Sequence, residues 1–131
     1  MRRRVRLYHV WFATKSRKWL LQGEVASKVK ELMRQTATEK GIRLLECETM
    51  VDHAHLLLDV EDRVSLGKAT NALKGVLARR INQAFPELKL DGSFTHFWQL
   101  RYGAKEVPDA AAACVANYVR SQWERPEKYE R

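Results

Sequence analysis

Residues 52–59, with the sequence DHAHLLLD, constrain the fold more than any other part of the chain. They are mostly apolar and include no proline or glycine, which predicts a β-strand. Because side chains alternate across a strand, one face carries His53, His55, Leu57 and Asp59. The other face carries Ala54, Leu56, Leu58 and Val60. The second, apolar set predicts a strand in a sheet that packs one face against a hydrophobic core.

The two histidines of this strand are two residues apart, so their rings stand side by side on one face. Neutral imidazole is a common metal ligand, and two such rings can reach one ion. The pattern of His53 and His55 therefore suggests a two-histidine metal site on a sheet. The alternative is an incidental His-x-His pair on a half-buried strand, and this segment alone leaves both open.

Periodicity along the rest of the chain predicts seven elements in the order β-α-β-β-α-β-α. The predicted strands lie at about 4–14, 42–51, 54–61 and 94–102, and the predicted helices at about 23–40, 63–85 and 107–124. Helix ends are marked by Gly41, Pro86 and Pro108. Either Asp62 or Ser65 is suited to cap the second helix. The short link at Asp52 predicts an antiparallel hairpin of the second and third strands.

This element order predicts an α+β fold. Its first six elements match the ferredoxin-like β-α-β-β-α-β pattern, an antiparallel sheet covered by helices on one face. The extra C-terminal helix, which carries Tyr118, is then left for the other face or an edge. The 131 residues suffice for one domain, which we expect to span 1–131. No apolar run approaches membrane-spanning length and no signal peptide is visible, so we expect a cytoplasmic protein with no membrane partner.

The net charge of +8 favours a polyanionic partner such as nucleic acid, although charge alone does not distinguish it from anionic lipid. The candidate DNA contacts are basic residues of the first strand, the turn after it and the second helix: Arg4, Arg6, Lys15, Arg17, Lys18, Lys74, Arg79 and Arg80. Aromatic residues in the first strand could stack on bases. We nevertheless expect most of them to be core, and Trp11 to be a packing residue.

The last predicted helix carries a second candidate group. Tyr118 and Gln122 are four residues apart, so their side chains are neighbours on the helix surface. An amide oxygen suits a hard cation beside two imidazoles. A divalent ion held by His53, His55 and Gln122 could polarise a phosphate, and Tyr118, one helical turn from Gln122, could attack its phosphorus.

The remaining tyrosines, histidines and cysteines have simpler interpretations. Tyr102 and Tyr129 are rival nucleophiles, the second in a tail that we expect to fray. We expect His9 and His96 to be ordinary histidines rather than metal ligands. The two cysteines, Cys47 and Cys114, are expected to be small buried residues.

Four stretches together resemble a known family: DHAHLLL at 52–58, YHVWFATK at 8–15, Phe97-Trp98, and Tyr118 with Gln122. In the same order they resemble the single-tyrosine HUH transposases of bacterial insertion sequences and their REP-associated relatives. HUH denotes histidine, hydrophobic residue, histidine, here His53-Ala54-His55. The resemblance covers nearly the whole chain and implies a single HUH transposase domain.

The resemblance implies an enzyme that uses Mg²⁺ or Mn²⁺ and acts on single-stranded DNA with hairpin ends. Tyr118 would attack a phosphodiester to form a 5′-phosphotyrosine and free a 3′-hydroxyl, and a second 3′-hydroxyl would resolve the link. A homodimer is implied too, with tyrosine helices exchanged in some members. Two alternatives remain: a non-catalytic ferredoxin-like nucleic-acid-binding module, and a metal-dependent nuclease without a covalent step.

Overall fold

The structure is a computed structural model that describes residues 6–88 and 97–121. Its strands are β1 (Leu7–Ala13), β2 (Arg43–Met50), β3 (His53–Asp59) and β4 (Gly103–Val107), and its helices are α1 (Gly23–Glu39), α2 (Arg63–Ala84) and α3 (Ala112–Arg120). Short 3₁₀ turns lie at Lys15–Arg17, Pro86–Leu88 and Asp109–Ala111. The predicted order β-α-β-β-α-β-α is confirmed.

The four strands form one antiparallel sheet in the order β2-β3-β1-β4. This is the order of a ferredoxin-like fold, and the predicted hairpin of β2 and β3 is confirmed. The central strand β1 pairs with β3 on one side, where Trp11 lies opposite His55. On its other side β1 pairs with β4, where Trp11 lies opposite Gly103 and His9 lies opposite Lys105.

Alternation along β1 and β3 divides the sheet into two faces. One face is the main core, where β1 and β3 pack on α1 and α2 through Tyr8, Val10, Phe12, Ala54, Leu56 and Leu58. The opposite face holds a smaller cluster of Leu7, Leu57 and Val107, which packs on small residues around the start of α3. The third helix therefore covers the face to which the sequence assigned the two histidines. None of the helices in 6–88 and 97–121 is both long and apolar enough to cross a bilayer.

Helix α2 begins with one of the two predicted caps. The carboxylate of Asp62 accepts a hydrogen bond from the backbone N–H of Ser65 at 2.8 Å. This bond is the main reason that the pKa of Asp62 lies below its usual value. Ser65, the other candidate, is instead the donor of that bond.

The predicted fourth strand at 94–102 is wrong in its described part. Residues 89–96 lie outside the described residues, and the strand that completes the sheet is β4, after the aromatic segment. Phe97 and Trp98 are buried, and Trp98 makes only an isolated bridge with Thr14. Its ring packs edge-on against Phe12, with centroids 4.7 Å apart. The aromatic residues thus indicated burial at the end of the sheet, not a strand.

The structure contradicts the prediction that Lys74 is a DNA contact. Its side chain is buried on α2, and its Nζ donates to the backbone carbonyls of Gln99, Leu100 and Arg101 at 2.7, 3.1 and 3.3 Å. Burial lowers the pKa of this ammonium. The charge therefore holds residues 99–101 against α2 and is turned inward, away from a DNA backbone.

We predict that Lys74→Met lowers the free energy of unfolding by about 2 kcal/mol, because three carbonyls lose a charged donor inside the fold. Lys68→Met on the same helix is the matched control, since Lys68 is exposed and its change is expected to stay within about 0.5 kcal/mol. Urea denaturation measures both. Equal stability of the two variants would contradict this role of Lys74.

Candidate active site

The two histidines of β3 lie together and are both buried, with 7% and 6% of their surfaces exposed. The ring centroids of His53 and His55 are 4.8 Å apart, in an edge-to-face arrangement. The Nδ1 of His53 is 2.7 Å from Oδ1 of Asp52, and the Nδ1 of His55 is 2.9 Å from Nε2 of His9. Each ring is thus oriented through Nδ1, which makes Nε2 the nitrogen suited to a metal.

Asp52 links the first histidine to a cation. It lies in the turn between β2 and β3, as predicted, and its second carboxylate oxygen is 3.0 Å from Nε of Arg17. Its backbone carbonyl accepts a hydrogen bond from the N–H of Thr14 at 2.9 Å, which ties the turn to the end of β1. The carboxylate therefore fixes the ring of His53 while Arg17 balances its charge.

The imidazoles of His55 and His9 favour their neutral forms. Burial, and to a lesser extent the nearby His53 and His9, lower the pKa of His55 to about 3. Burial also lowers the pKa of His9. Removing a charged ring from water costs free energy, so these rings stay unprotonated near neutral pH. Neutral imidazole is the form that binds a metal.

The sequence did not predict that His9 lies in this site, and His9 was expected to be an ordinary histidine. Its ring stacks on that of His55, with centroids 5.1 Å apart, and it lies 5.9 Å from the ring of Tyr118. The available signal was topological. In a ferredoxin-like sheet β1 lies beside β3, and alternation puts His9 on the same face as Trp11.

Tyr118 lies over the histidine cluster within the same chain. Its ring centroid is 6.2 Å from that of His55, in an edge-on arrangement. Helix α3 approaches the sheet closely because the residues that pack on Leu57 are small, mainly alanines.

The two cysteines differ in burial. Cys114, in an earlier turn of α3, is exposed, so its predicted burial is wrong. Cys47 is buried as predicted, and desolvation raises the pKa of its thiol to about 11.

The predicted third ligand, Gln122, lies outside the described residues. Across residues 6–88 and 97–121, no three His, Cys, Asp or Glu side chains are grouped so that they could hold a metal. What the described part supplies is a pair of adjacent imidazole donors. These two rings suit a divalent ion that takes its remaining ligands from an amide oxygen, phosphate or water.

A cavity of about 490 Å³ opens between the cluster and α3. It is lined by the three histidines together with Trp11, Arg17, Lys105 and Tyr118. Two cations, Arg17 and Lys105, therefore line the same cavity as the candidate nucleophile. Lys105 was missed because β4 was not recognised, and Arg17 was one of the predicted DNA contacts.

The other predicted DNA contacts are divided between the two sides of the sheet. Lys15 and Lys18 lie in or next to the same turn as Arg17. Arg79 and Arg80 are on α2, on the opposite face, where Arg80 pairs with Glu39 at 2.7 Å. The charge of Arg6 acts on Asp62 at the start of α2, and Arg4 lies outside the described residues.

The rival nucleophile Tyr102 lies on the face of the sheet that packs on α1 and α2, away from the histidines. It packs on the main core, and its hydroxyl would lie 3.4 Å from a Cβ placed on Gly67 of α2. Tyr129 and His96 lie outside the described residues.

Comparison with known proteins finds a family model and relatives that cover most of the chain. The family model for IS200-like transposases matches residues 5–122. The ISDra2 transposase TnpA of Deinococcus radiodurans is 33% identical over 118 residues, which are 90% of this chain and 84% of the relative. The transposase for insertion sequence element IS200 of Salmonella typhimurium is 29% identical over 123 residues, which are 94% of this chain and 80% of the relative.

Two solved structures share the fold. A crystal structure from Deinococcus radiodurans, described as a transposase, has a TM-score of 0.73 and 34% identity, and the match covers 91% of this chain and 92% of the other. A REP-associated tyrosine transposase bound to a REP hairpin has a TM-score of 0.64 and 12% identity, with coverage of 98% and 73%. The second likeness is one of fold alone.

The lowered pKa of His55 makes stability depend on pH. An unfolded chain takes up a proton at this ring below its ordinary pKa of 6.5, whereas the folded protein does so only near pH 3. The free energy of unfolding should therefore fall as the pH drops from 6.5 to 3, by up to about 1.4 kcal/mol per pH unit for this group. Denaturation with a chelator present, at several pH values, measures this slope.

His55→Gln removes the titrating group and is expected to flatten the pH dependence over that range, whatever its effect at pH 7. An unchanged slope in this variant would show that His55 is not held neutral by the fold.

Proposed function

Because the chain belongs to the IS200-like transposase family, we propose that it cleaves and rejoins single-stranded DNA through a covalent link to Tyr118. The observation that carries the proposal is the position of the Tyr118 ring, whose centroid is 6.2 Å from that of His55, in a cavity that Arg17 and Lys105 also line. A phenol at this place can reach a phosphate that is bound next to the histidine pair.

The proposed reaction has two steps. The hydroxyl oxygen of Tyr118 attacks the phosphorus of a phosphodiester, and the bond from phosphorus to the 3′-oxygen breaks. This leaves a 5′-phosphotyrosine and a free 3′-hydroxyl. The 3′-hydroxyl of another strand then attacks the phosphotyrosine and releases Tyr118. Each step exchanges one phosphate ester for another, so no external energy source is needed.

We propose that His53 and His55 bind Mg²⁺ or Mn²⁺ through Nε2, with Gln122 as a third ligand. The adjacent rings and their Nδ1 partners support this assignment, since Asp52 and His9 fix the ring orientations that a metal requires. A divalent ion there would supply positive charge against the negative charge that grows on phosphate oxygens in the transition state.

The proposed substrate is a single strand next to a hairpin. Arg17 and Lys105 line the cavity and can pair with phosphates on either side of the bond that is cleaved. The REP-associated transposase was solved with a hairpin bound, which makes a hairpin the first substrate to test. A homodimer, with or without exchanged tyrosine helices, stays a prediction. Within a single chain the ring of Tyr118 already lies close to that of His55, so exchange is not needed to bring them together.

We predict that Tyr118→Phe abolishes both cleavage and the covalent adduct, because it removes the attacking oxygen and little else. The assay uses a labelled hairpin oligonucleotide with single-stranded flanks, Mg²⁺ and the whole protein, followed by denaturing electrophoresis. Tyr102→Phe is the matched control, since this tyrosine lies on the other face of the sheet, and it should keep wild-type activity.

Cleavage without an adduct that survives Tyr118→Phe would indicate a metal-dependent nuclease instead. Binding without cleavage in the wild type, with Mg²⁺ and with Mn²⁺, would favour the non-catalytic binding module.

We also predict that Arg17→Ala and Lys105→Ala each weaken DNA binding and reduce its dependence on salt, because each removes one phosphate partner. For a single strand, the slope of log affinity against log salt should become shallower by about 0.7 per lost contact. Arg79→Ala is the control on the opposite face and should leave the slope unchanged. Equal effects at all three positions would place the DNA elsewhere. Titrations in EDTA separate binding from cleavage.

A further inference from the structure

Trp11 is an aromatic residue on β1 that the proposed chemistry leaves unused. Tyr8 and Phe12 of the same strand are buried in the main core, with 1% and 2% of their surfaces exposed. Trp11 points to the opposite face, lines the cavity beside Tyr118, and has 38% of its surface exposed. The indole therefore packs on the sheet with part of its surface and presents the rest to the cavity.

The position of the indole depends on the strand next to it. Trp11 lies opposite Gly103 of β4, and a Cβ on Gly103 would stand only 2.2–2.4 Å from three atoms of the ring. No residue with a side chain leaves room for the indole in this place. On its other side the ring contacts His9, with centroids 5.1 Å apart and the planes tilted by 53°.

Two cations accompany this aromatic surface. Arg17 and Lys105 line the same cavity, so an anionic backbone would be held with its bases near the indole. Unpaired bases expose flat apolar faces, and stacking on an aromatic side chain is the sequence-tolerant way to hold them. A partly exposed indole in a cavity that two cations also line has the chemistry of a single-strand subsite and not of a core position.

We propose that Trp11 is a stacking subsite for an unpaired base next to the phosphodiester that Tyr118 attacks, and that Gly103 is the residue that makes room for it. This rests on the proposed function, since it requires a DNA strand in the cavity. The subsite would hold the strand in place while adding no specificity for one base over another.

Two oligonucleotides of equal charge test the proposal: (dT)₁₂ and a 12-residue abasic strand with the same phosphates. Wild type should bind (dT)₁₂ at least about fivefold more tightly than the abasic strand, which is the scale of one stacked base. Trp11→Ala should lose most of that preference while keeping its affinity for the abasic strand. Trp11→Phe should keep most of the preference.

Trp19→Ala is the matched control, because Trp19 is 69% exposed in the neighbouring basic turn but does not line the cavity. It should retain the wild-type preference. Gly103→Ala keeps the indole but displaces it, and should behave like Trp11→Ala. Thermal unfolding confirms that each variant is folded before it is titrated.

The proposal is overturned if wild type shows no preference for (dT)₁₂, if Trp11→Ala keeps the preference, or if Trp19→Ala loses it to the same extent. These outcomes are separate from those of the covalent assay. A Tyr118 adduct with no effect of Trp11 would refute the subsite alone. Trp11-dependent stacking without an adduct would refute the proposed reaction and leave the subsite in place.

Discussion

The antiparallel pairing of β1 with β3 is the interaction on which the whole site depends. It places Trp11 opposite His55 and Ala13 opposite His53, and it brings His9 within hydrogen-bond distance of His55. Because side chains alternate along a strand, a register slip of one residue would turn both imidazoles toward the helix-covered core. The apolar residues of β3 that pack on α1 and α2 prevent that slip, so the stability of the core also specifies the geometry of the site.

Burial and hydrogen bonding then prepare the rings for a ligand. Desolvation favours the neutral form of His55, and Asp52 and His9 orient the rings of His53 and His55 through their Nδ1 atoms. The small residues of α3 let Tyr118 approach the sheet, and Arg17 and Lys105 line the same cavity. The same face of the sheet thus combines two buried histidines with cationic and aromatic residues that line one cavity.

Much of this could be predicted because it depends on local patterns. Alternation in β3 assigned His53 and His55 to one face. The four-residue spacing of Tyr118 and Gln122 indicated Tyr118 as the candidate nucleophile on the last helix. The failures involve packing between distant segments. In the sequence Lys74 looks like any exposed lysine, because the carbonyls of residues 99–101 that it binds are distant along the chain. Strand β4 has only one β-branched residue, Val107, so its pairing with β1 defines it rather than its composition. His9 joined the site only through strand pairing.

The central claim is that His53 and His55 hold a divalent ion beside Tyr118. Anomalous diffraction from crystals of the protein soaked in Mn²⁺ tests it most directly. The account predicts a single strong peak within ligand distance of Nε2 of both rings, on the side that faces Tyr118. An empty histidine pair at saturating Mn²⁺, or a peak bound only elsewhere on the protein, would contradict it.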